Sequence, residues 1–432
     1  MPPDDERAQT RRYIAQLNRG NRQTAFVRRT PYRRRPSPVV PPPAPQPPDP
    51  PVGETFAFGP LGTDLHRRLP TGMALLVVLP VRRTHGPGFR MRGVCCCGAT
   101  EDFPECSRPD IALADLVAEG GSLPAKVVAT MRRWSRGKPE LMRWLHGRRC
   151  AHGDELELVI WDETGYGIPW ELFWLGTPPG SPYRPGWLGG LVTVTRWLSI
   201  HSAWSVVRDY SSPYACEGPV AAYIADDMSH DEALLREFAS EAIGGIRGLP
   251  KALSAGDPLG MVYIACHGTF GSDEDDCHLD NVKLVMLDGG EEDFFERLAS
   301  AATLVFLNAC HSGRLLAEDE EYADQNQRGF SELFLRSGAA GVLATSGEIG
   351  DEDAHQMADE LLRLLRDRPD TPVAVALREL RSALAHLTPA DVFDAEPKEE
   401  QRRLLPLLYR FMYVYYGSPR TLVALTPRLG QA

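Results

Sequence analysis

The sequence lacks the features of an exported or membrane-spanning protein. It shows no N-terminal apolar segment and no run of 18 or more apolar residues, so we expect a cytoplasmic protein without membrane contact. The formal net charge of -11 argues against direct nucleic-acid binding by the chain as a whole. The nine cysteines follow no disulfide-like framework, and without a signal peptide we expect them to be reduced thiols.

Several catalytic and metal-binding signatures are also missing. The chain has no GxxxxGK[ST] phosphate loop, no GxSxG elbow and no HExxH motif, so nucleotide, serine-hydrolase and zincin functions lack their motifs. Consecutive cysteines Cys95, Cys96 and Cys97 fall on a predicted strand, where neighbours point to opposite faces and cannot readily bind one ion. The chain also lacks a zinc-type CxxC spacing. We therefore expect no metal site and no cofactor.

Three Cys-His dipeptides are alternatives to be weighed as zinc ligands: Cys266-His267, Cys277-His278 and Cys310-His311. The same alternation argues against zinc binding here. It predicts that Cys266 points into the core, opposite to His267. His311 is predicted to be a turn residue.

Composition divides the chain into three parts. Residues 1–35 contain ten Arg and no Lys, and ten of the sixteen residues from Pro36 to Pro51 are Pro, so 1–60 is predicted to be a disordered, basic and Pro-rich arm. The alternative is that this segment only makes the chain more soluble. Residues 61–120 are predicted as a small accessory region with a β-hairpin around THGPG, and 121–432 as the main domain.

Within the main domain, strand-like and helical patterns alternate. Short aliphatic runs such as LELVIW, MVYIACHG and LVFLNACHSG are typical of buried parallel strands. Their alternation with helices over some 300 residues predicts an α/β three-layer sandwich with a mostly parallel central sheet.

The stretch from Gly260 to Arg314 holds the candidate chemistry. One apolar run ends in His267-Gly268 and the next ends in Cys310, and the 42 residues from Gly268 to Ala309 allow a parallel crossover. If the two strands are neighbours, His267 and Cys310 meet at one sheet edge as a Cys/His dyad for acyl transfer. The alternative is that Cys310 is an ordinary buried residue. Backbone N–H groups of Gly268 and Cys310 are natural oxyanion donors.

The surrounding motifs carry a family resemblance. The set ACHG, NACHSG, GFSELFLRSGAAGVLAT and IPWEL resembles the CHAT branch of the caspase-fold (clan CD) cysteine peptidases, relatives of separase, metacaspases and caspases. The resemblance covers about residues 150–420. It implies a caspase-like fold, His267 as general base, Cys310 as nucleophile, and Gly268 and Cys310 as oxyanion hole. It gives structural roles to Ile168–Leu172 and to Gly338, Ala339 and Gly341.

One departure concerns the substrate pocket. Where the family usually shows a Trp followed by an Asp, this chain has TSGEIGDED, so Gly347 replaces the Trp and Asp351 keeps the acidic position. We predict that Asp351, with Glu348, binds a basic substrate side chain.

Two acidic runs follow the dyad residues, Asp273–Asp276 and Glu318–Glu321. They are predicted to crowd the mouth of the site and favour basic substrates. The alternatives are solvated loops or Ca²⁺ regulation, since clustered carboxylates suit that cation. The Arg-rich residues 7–35 are then a candidate pseudosubstrate or self-cleavage segment.

These features together predict a cytoplasmic cysteine endopeptidase that cleaves a protein substrate after a basic residue. By resemblance, we expect a regulated effector in bacterial defence or cell-death signalling, with an activating sensor protein as a further partner. The alternative is a catalytically weak caspase-fold adaptor or interaction module.

Overall fold

The computed structural model describes residues 69–81, 88–111, 124–178, 180–200, 208–271, 273–287, 295–317, 327–388 and 397–428, without the side chains of 397–402. The predicted N-terminal arm therefore lies outside the described residues. Within these ranges every helix is too short or too polar to cross a lipid bilayer.

The strands and helices follow the apolar runs of the sequence. The strands are β1 (Met73–Val81), β2 (Gly88–Cys95), β3 (Thr100–Ser107), β4 (Glu157–Asp162), β5 (Trp174–Leu175), β6 (Gly186–Trp187), β7 (Thr193–Trp197), β8 (Tyr214–Gly218), β9 (Val220–Ile224), β10 (Ser240–Ala242), β11 (Met261–Ala265), β12 (Gly268–Thr269), β13 (His278–Leu279), β14 (Val282–Lys283), β15 (Leu304–Asn308), β16 (Leu316–Ala317), β17 (Gln327–Arg328), β18 (Gly341–Thr345), β19 (Tyr413–Gly417) and β20 (Thr421–Leu425). The α-helices are α1 (Pro124–Arg136), α2 (Pro139–His152), α3 (Leu188–Leu191), α4 (Leu249–Ser254), α5 (Leu284–Leu287), α6 (Glu296–Ser300), α7 (Phe330–Arg336), α8 (Asp351–Asp367), α9 (Val373–Ser382) and α10 (Pro397–Met412).

Eleven of the strands form one twisted sheet. Its order is β10-β9-β11-β15-β18-β19-β7-β4-β1-β2-β3. Strands β10, β9, β11, β15 and β18 run parallel to one another, and so do β19, β7, β4 and β1. The two blocks meet at the antiparallel pair β18–β19. The predicted hairpin is confirmed, because β1 pairs antiparallel with β2.

Helices cover both faces of this sheet. Met261, Tyr263 and Ala265 of β11 pack in one core with α8, α9 and α10. The alternate residues Val262 and Ile264 pack in a second core with α4, α6 and α7. A strand buried on both faces needs apolar residues at successive positions, which explains its unbroken aliphatic sequence. The predicted three-layer sandwich with a mostly parallel sheet is confirmed.

The cysteine triplet corrects one expectation. Strand β2 ends at Cys95, and the chain then turns tightly, with Cys96 N donating to Met73 O at 3.0 Å and Gly98 N donating to Cys95 O at 2.8 Å. Gly98 takes φ +85°, a conformation that glycine adopts without strain. Because only Cys95 belongs to the strand, the alternation of faces does not separate these thiols.

The segment after β9 is a second correction. Its sequence predicts a helix from about Asp231 to Ile243, but the structure has a 3-10 stretch over Asp226–Leu235, irregular at Met228, and then the short strand β10. Strand β10 pairs with β9 in parallel. For residues 240–242, pairing with the edge strand β9 therefore outweighs their propensity to form a helix.

Candidate active site

Two neighbouring strands bring the predicted dyad to one place. Strands β11 and β15 are parallel, and Ala265 is paired with Asn308. Two residues beyond this pair on each strand come His267 and Cys310, so the chains leave the sheet in register. The prediction that these strands are neighbours is confirmed.

Gly268 fixes how closely the two chains approach. A Cβ atom at this position would overlap the carbonyl oxygen of Cys310 and also press on its carbonyl carbon and amide nitrogen. The glycine thus lets the backbone after His267 lie directly against the Cys310 peptide. The two amides predicted for the oxyanion hole, those of Gly268 and Cys310, consequently belong to adjacent peptides in space.

The Cys310 thiol is partly buried and contacts the backbone of Ile349. Ile349 N donates to Sγ at 3.4 Å, and Sγ lies 3.5 Å from Ile349 O. Burial raises the pKa of Cys310, the Ile349 amide opposes this shift, and the carboxylates of Glu348 and Asp351 add to it. The thiol is therefore less acidic than a free cysteine thiol in this arrangement.

The His267 imidazole is paired with a carboxylate that the sequence analysis missed. Its Nε2 lies 2.6 Å from Asp227 Oδ2, and the two side chains are 61% and 60% exposed. The Asp227 hydrogen bond raises the pKa of His267, and the same contact lowers the pKa of Asp227. No hydrogen bond joins His267 to Cys310 among the described residues. The ring is thus held by Asp227 and not by the thiol.

The dyad residues open on a common cavity of about 320 Å³. Both predicted pocket residues, Glu348 and Asp351, line it as well, and no Lys or Arg is among the described residues of its wall. Asp351 is the first residue of α8 and is exposed, whereas Glu348 is half-buried. Four of the five predicted site residues, all except Gly268, therefore line one cavity, whose walls carry carboxylates.

A buried polar network supports the floor of this cavity. Asp231 accepts hydrogen bonds from Tyr263 Oη at 2.6 Å and from Asn308 Nδ2 at 3.2 Å, and His355 Nδ1 lies 2.6 Å from its other oxygen. Tyr413 Oη donates to Asn308 Oδ1 at 2.6 Å. Asn308 precedes Cys310 by two residues, so the network fixes the end of β15 from which the nucleophile emerges.

Asp227 and Asp231 had a usable signal in the sequence. They follow β9, which lies next to β11 in parallel, so residues after β9 arrive at the same sheet edge as His267. This shared position at the sheet edge was not recognised, because the segment from Asp231 was predicted to be a helix. Ile349 carries no signal, because its backbone and not its side chain contacts the sulfur.

The acidic run Asp273–Asp276 does not line the cavity. Asp273 Oδ1 accepts from Asp276 N at 3.1 Å, Arg328 donates to Glu274 at 3.0 Å and Lys283 to Asp275 at 2.9 Å. These groups are used in a turn and in ion pairs, and crowding of the mouth by this run stays a prediction. The run Glu318–Glu321 lies outside the described residues. Regulation by Ca²⁺ stays a prediction.

The other Cys-His dipeptides have structural positions. Cys266 is fully buried in the core, as predicted, while His267 is exposed. His311 takes φ +59° in the turn after Cys310 and donates its amide to Gly347 O at 3.0 Å. Burial lowers the pKa of His311 to about 4, so it is neutral at pH 7.

The residues given structural roles are packed accordingly. Glu171 accepts from Arg196 Nε at 3.0 Å in a buried ion pair, and Arg196 also donates to Ile168 O at 3.1 Å. Gly338 takes φ +99°, and a Cβ there would meet the Ala299 backbone. A Cβ on Gly341 would overlap the Tyr415 ring.

The chain is thus an α/β protein with a mostly parallel sheet and with a His and a Cys at the ends of adjacent strands. Residues 228–404 match the family model of the CHAT domain, and the predicted family resemblance is confirmed. No curated protein matches the chain.

Solved structures give a more distant likeness. The chain is similar to two structures of the Saccharomyces cerevisiae separase–securin complex, each at 16% identity over 61% of this chain, with TM-scores of 0.36 and 0.34. The match covers only 16% and 15% of those chains. A third structure, titled "Structure of Protease", is 10% identical, covers 72% of both chains and has a TM-score of 0.37.

Proposed function

We propose that the chain is a cysteine endopeptidase that acts in the cytoplasm and cleaves protein substrates after a basic residue. The observation that carries the proposal is the shared cavity, in which His267 and Cys310 face the carboxylates of Glu348 and Asp351. The CHAT match over residues 228–404 supports the peptidase class. The role of a regulated effector in bacterial defence or cell death is supported by family resemblance alone.

In the proposed reaction, His267 takes the thiol proton and Cys310 Sγ bonds to the scissile carbonyl carbon. Amides of Gly268 and Cys310 stabilise the oxyanion that forms. As the C–N bond breaks, His267 gives its proton to the leaving amine, which leaves a thioester on Cys310. Water then attacks this thioester, His267 accepts a proton from it, and the released thiolate is reprotonated.

Asp227 supplies the orientation of the imidazole in this scheme. With Nε2 bonded to Asp227, Nδ1 is the nitrogen left to exchange a proton with Cys310. The carboxylate also stabilises the imidazolium, since it raises the pKa of His267. This gives Asp227 the part of the third member in a catalytic triad.

Glu348 and Asp351 then have two effects of opposite sign. Their negative charges raise the pKa of Cys310 in the free enzyme, which keeps the thiol unreactive. A substrate Arg or Lys that pairs with them cancels this charge and lowers the pKa of the thiol. A basic residue therefore both binds the pocket and activates the nucleophile.

A panel of fluorogenic peptides that differ only at the residue before the cleaved bond tests the proposal. We expect turnover of Arg and Lys peptides, little for Leu, none for Asp, and no turnover by Cys310→Ala. Equal rates for Leu and Arg peptides would remove the basic specificity. The absence of turnover for every peptide and for unfolded protein substrates would favour the adaptor.

A further inference from the structure

The turn between β2 and β3 gathers a second set of sulfur and imidazole groups. Cys95 Sγ lies 3.2 Å from His152 Nε2, Cys96 Sγ lies 3.7 Å from the same nitrogen, and the two sulfurs are 4.0 Å apart. Both cysteines are buried and His152 is half-buried. His152 is the last residue of α2, so the three groups come from the hairpin and from a separate helix.

These separations match the edges of a tetrahedral zinc site. With Zn–S bonds of about 2.3 Å and Zn–N bonds of about 2.05 Å, a tetrahedral site has S···S of about 3.8 Å and S···N of about 3.6 Å. The observed triangle of 4.0, 3.2 and 3.7 Å departs from these edges by a few tenths of an ångström. A single S–H···N hydrogen bond would explain the Cys95 contact, but not the convergence of Cys96 on the same nitrogen.

A third thiol and a compensating charge lie beside the triangle. Cys97 is exposed and follows Cys96 directly in the turn. Arg148 Nη1 donates to Cys97 Sγ at 2.7 Å. Three thiolates, one neutral imidazole and Zn²⁺ together carry one negative charge, and the Arg148 guanidinium is placed to balance it.

We propose that Cys95, Cys96 and His152, completed by Cys97, bind a zinc ion that ties the β2–β3 turn to the end of α2. The site is separate from the dyad, since β1, β2 and β3 lie at the opposite end of the sheet order from β11 and β15. Its ligands are soft thiolates and an imidazole, which select zinc over magnesium or calcium.

The test measures the zinc content of the full chain after it is saturated with zinc chloride and dialysed. We expect about one zinc per chain in the wild type, retained in Cys310→Ala and in the matched control Cys150→Ser, whose exposed thiol lies on the same helix as His152. Cys96→Ser and His152→Gln should each lose most of the metal. Zinc that follows Cys310 or Cys150 instead would overturn the proposal.

Cobalt substitution keeps the test decisive if a buried variant fails to fold. The wild type loaded with Co²⁺ should show thiolate-to-cobalt charge-transfer absorption and the visible bands of tetrahedral cobalt. Cys97→Ser changes an exposed residue, and it should lower the charge-transfer absorption by about a third, because one of three thiolates is lost. Unchanged spectra, or a disulfide in the purified protein detected by a loss of two mass units, would contradict the site.

Discussion

Two Cys-His arrangements in this chain differ in what surrounds the sulfur. At Cys310, the imidazole is bonded to Asp227, and carboxylates line the cavity. At the β2–β3 turn, one imidazole nitrogen lies close to two thiols, and an arginine contacts the third. The same residue types are thus arranged for nucleophilic chemistry in one region and for metal binding in the other. The neighbouring charges make the difference.

The largest expected effect is the difference in peptidase activity between variants of the two regions. Cys310→Ala should reduce peptidase kcat/KM by on the order of 10³-fold or more, because the nucleophile is lost. Cys96→Ser should keep most of the activity, since its thiol belongs to the other region. Peptide turnover measures both, and a comparable loss in the two variants would contradict the separation.

The close approach of the two strand ends gives the second prediction. Gly268→Ala places a methyl group against the Cys310 carbonyl oxygen, so we expect a loss of about 1–3 kcal/mol in the free energy of unfolding. We also expect activity to fall by about 100-fold, as both oxyanion amides move. Denaturant unfolding and peptide turnover measure these effects. Gly244→Ala is the control, since a Cβ there meets nothing within 4 Å.

Removal of a pocket carboxylate should change the labelling rate of Cys310 and the turnover of peptides in opposite directions. Asp351→Asn removes a negative charge that raises the pKa of Cys310, so iodoacetamide should label Cys310 faster at pH 7, and the midpoint of its pH-rate curve should move to lower pH. Turnover of Arg peptides should nevertheless fall by about 10-fold, as the ion pair with substrate weakens. Glu352→Gln, the next residue on α8, is the control. A fall in both rates would point to misfolding.

Asp227 should have the smallest effect, because its pair with His267 is exposed. Asp227→Asn lowers the pKa of His267, since the hydrogen bond that raises it is lost. The imidazolium then loses its proton at lower pH, and the limb of the kcat/KM profile that belongs to His267 moves to lower pH with a several-fold drop in rate. The neighbouring Asp226→Asn should leave the profile unchanged. An unshifted limb in Asp227→Asn would exclude the triad role.

The sequence predicted the parts of the site that depend on unbroken strand patterns. His267 and Cys310 follow apolar runs whose parallel pairing could be inferred, and Glu348 and Asp351 came from the family motif. The contacts of Asp227 and Asp231 could not be predicted once the segment was assigned to a helix, because sheet-edge pairing decided its structure. The cysteine turn was missed since the end of β2 depends on the hairpin register and on the Met73 contact.

The most direct test of peptidase activity at Cys310 is mass spectrometry of new protein N-termini in cells that express either the wild type or Cys310→Ala. We expect cuts that occur only with the wild type and that follow Arg or Lys. Identical N-termini in the two samples, with Cys310 no more reactive toward an electrophile than the exposed Cys150, would contradict it.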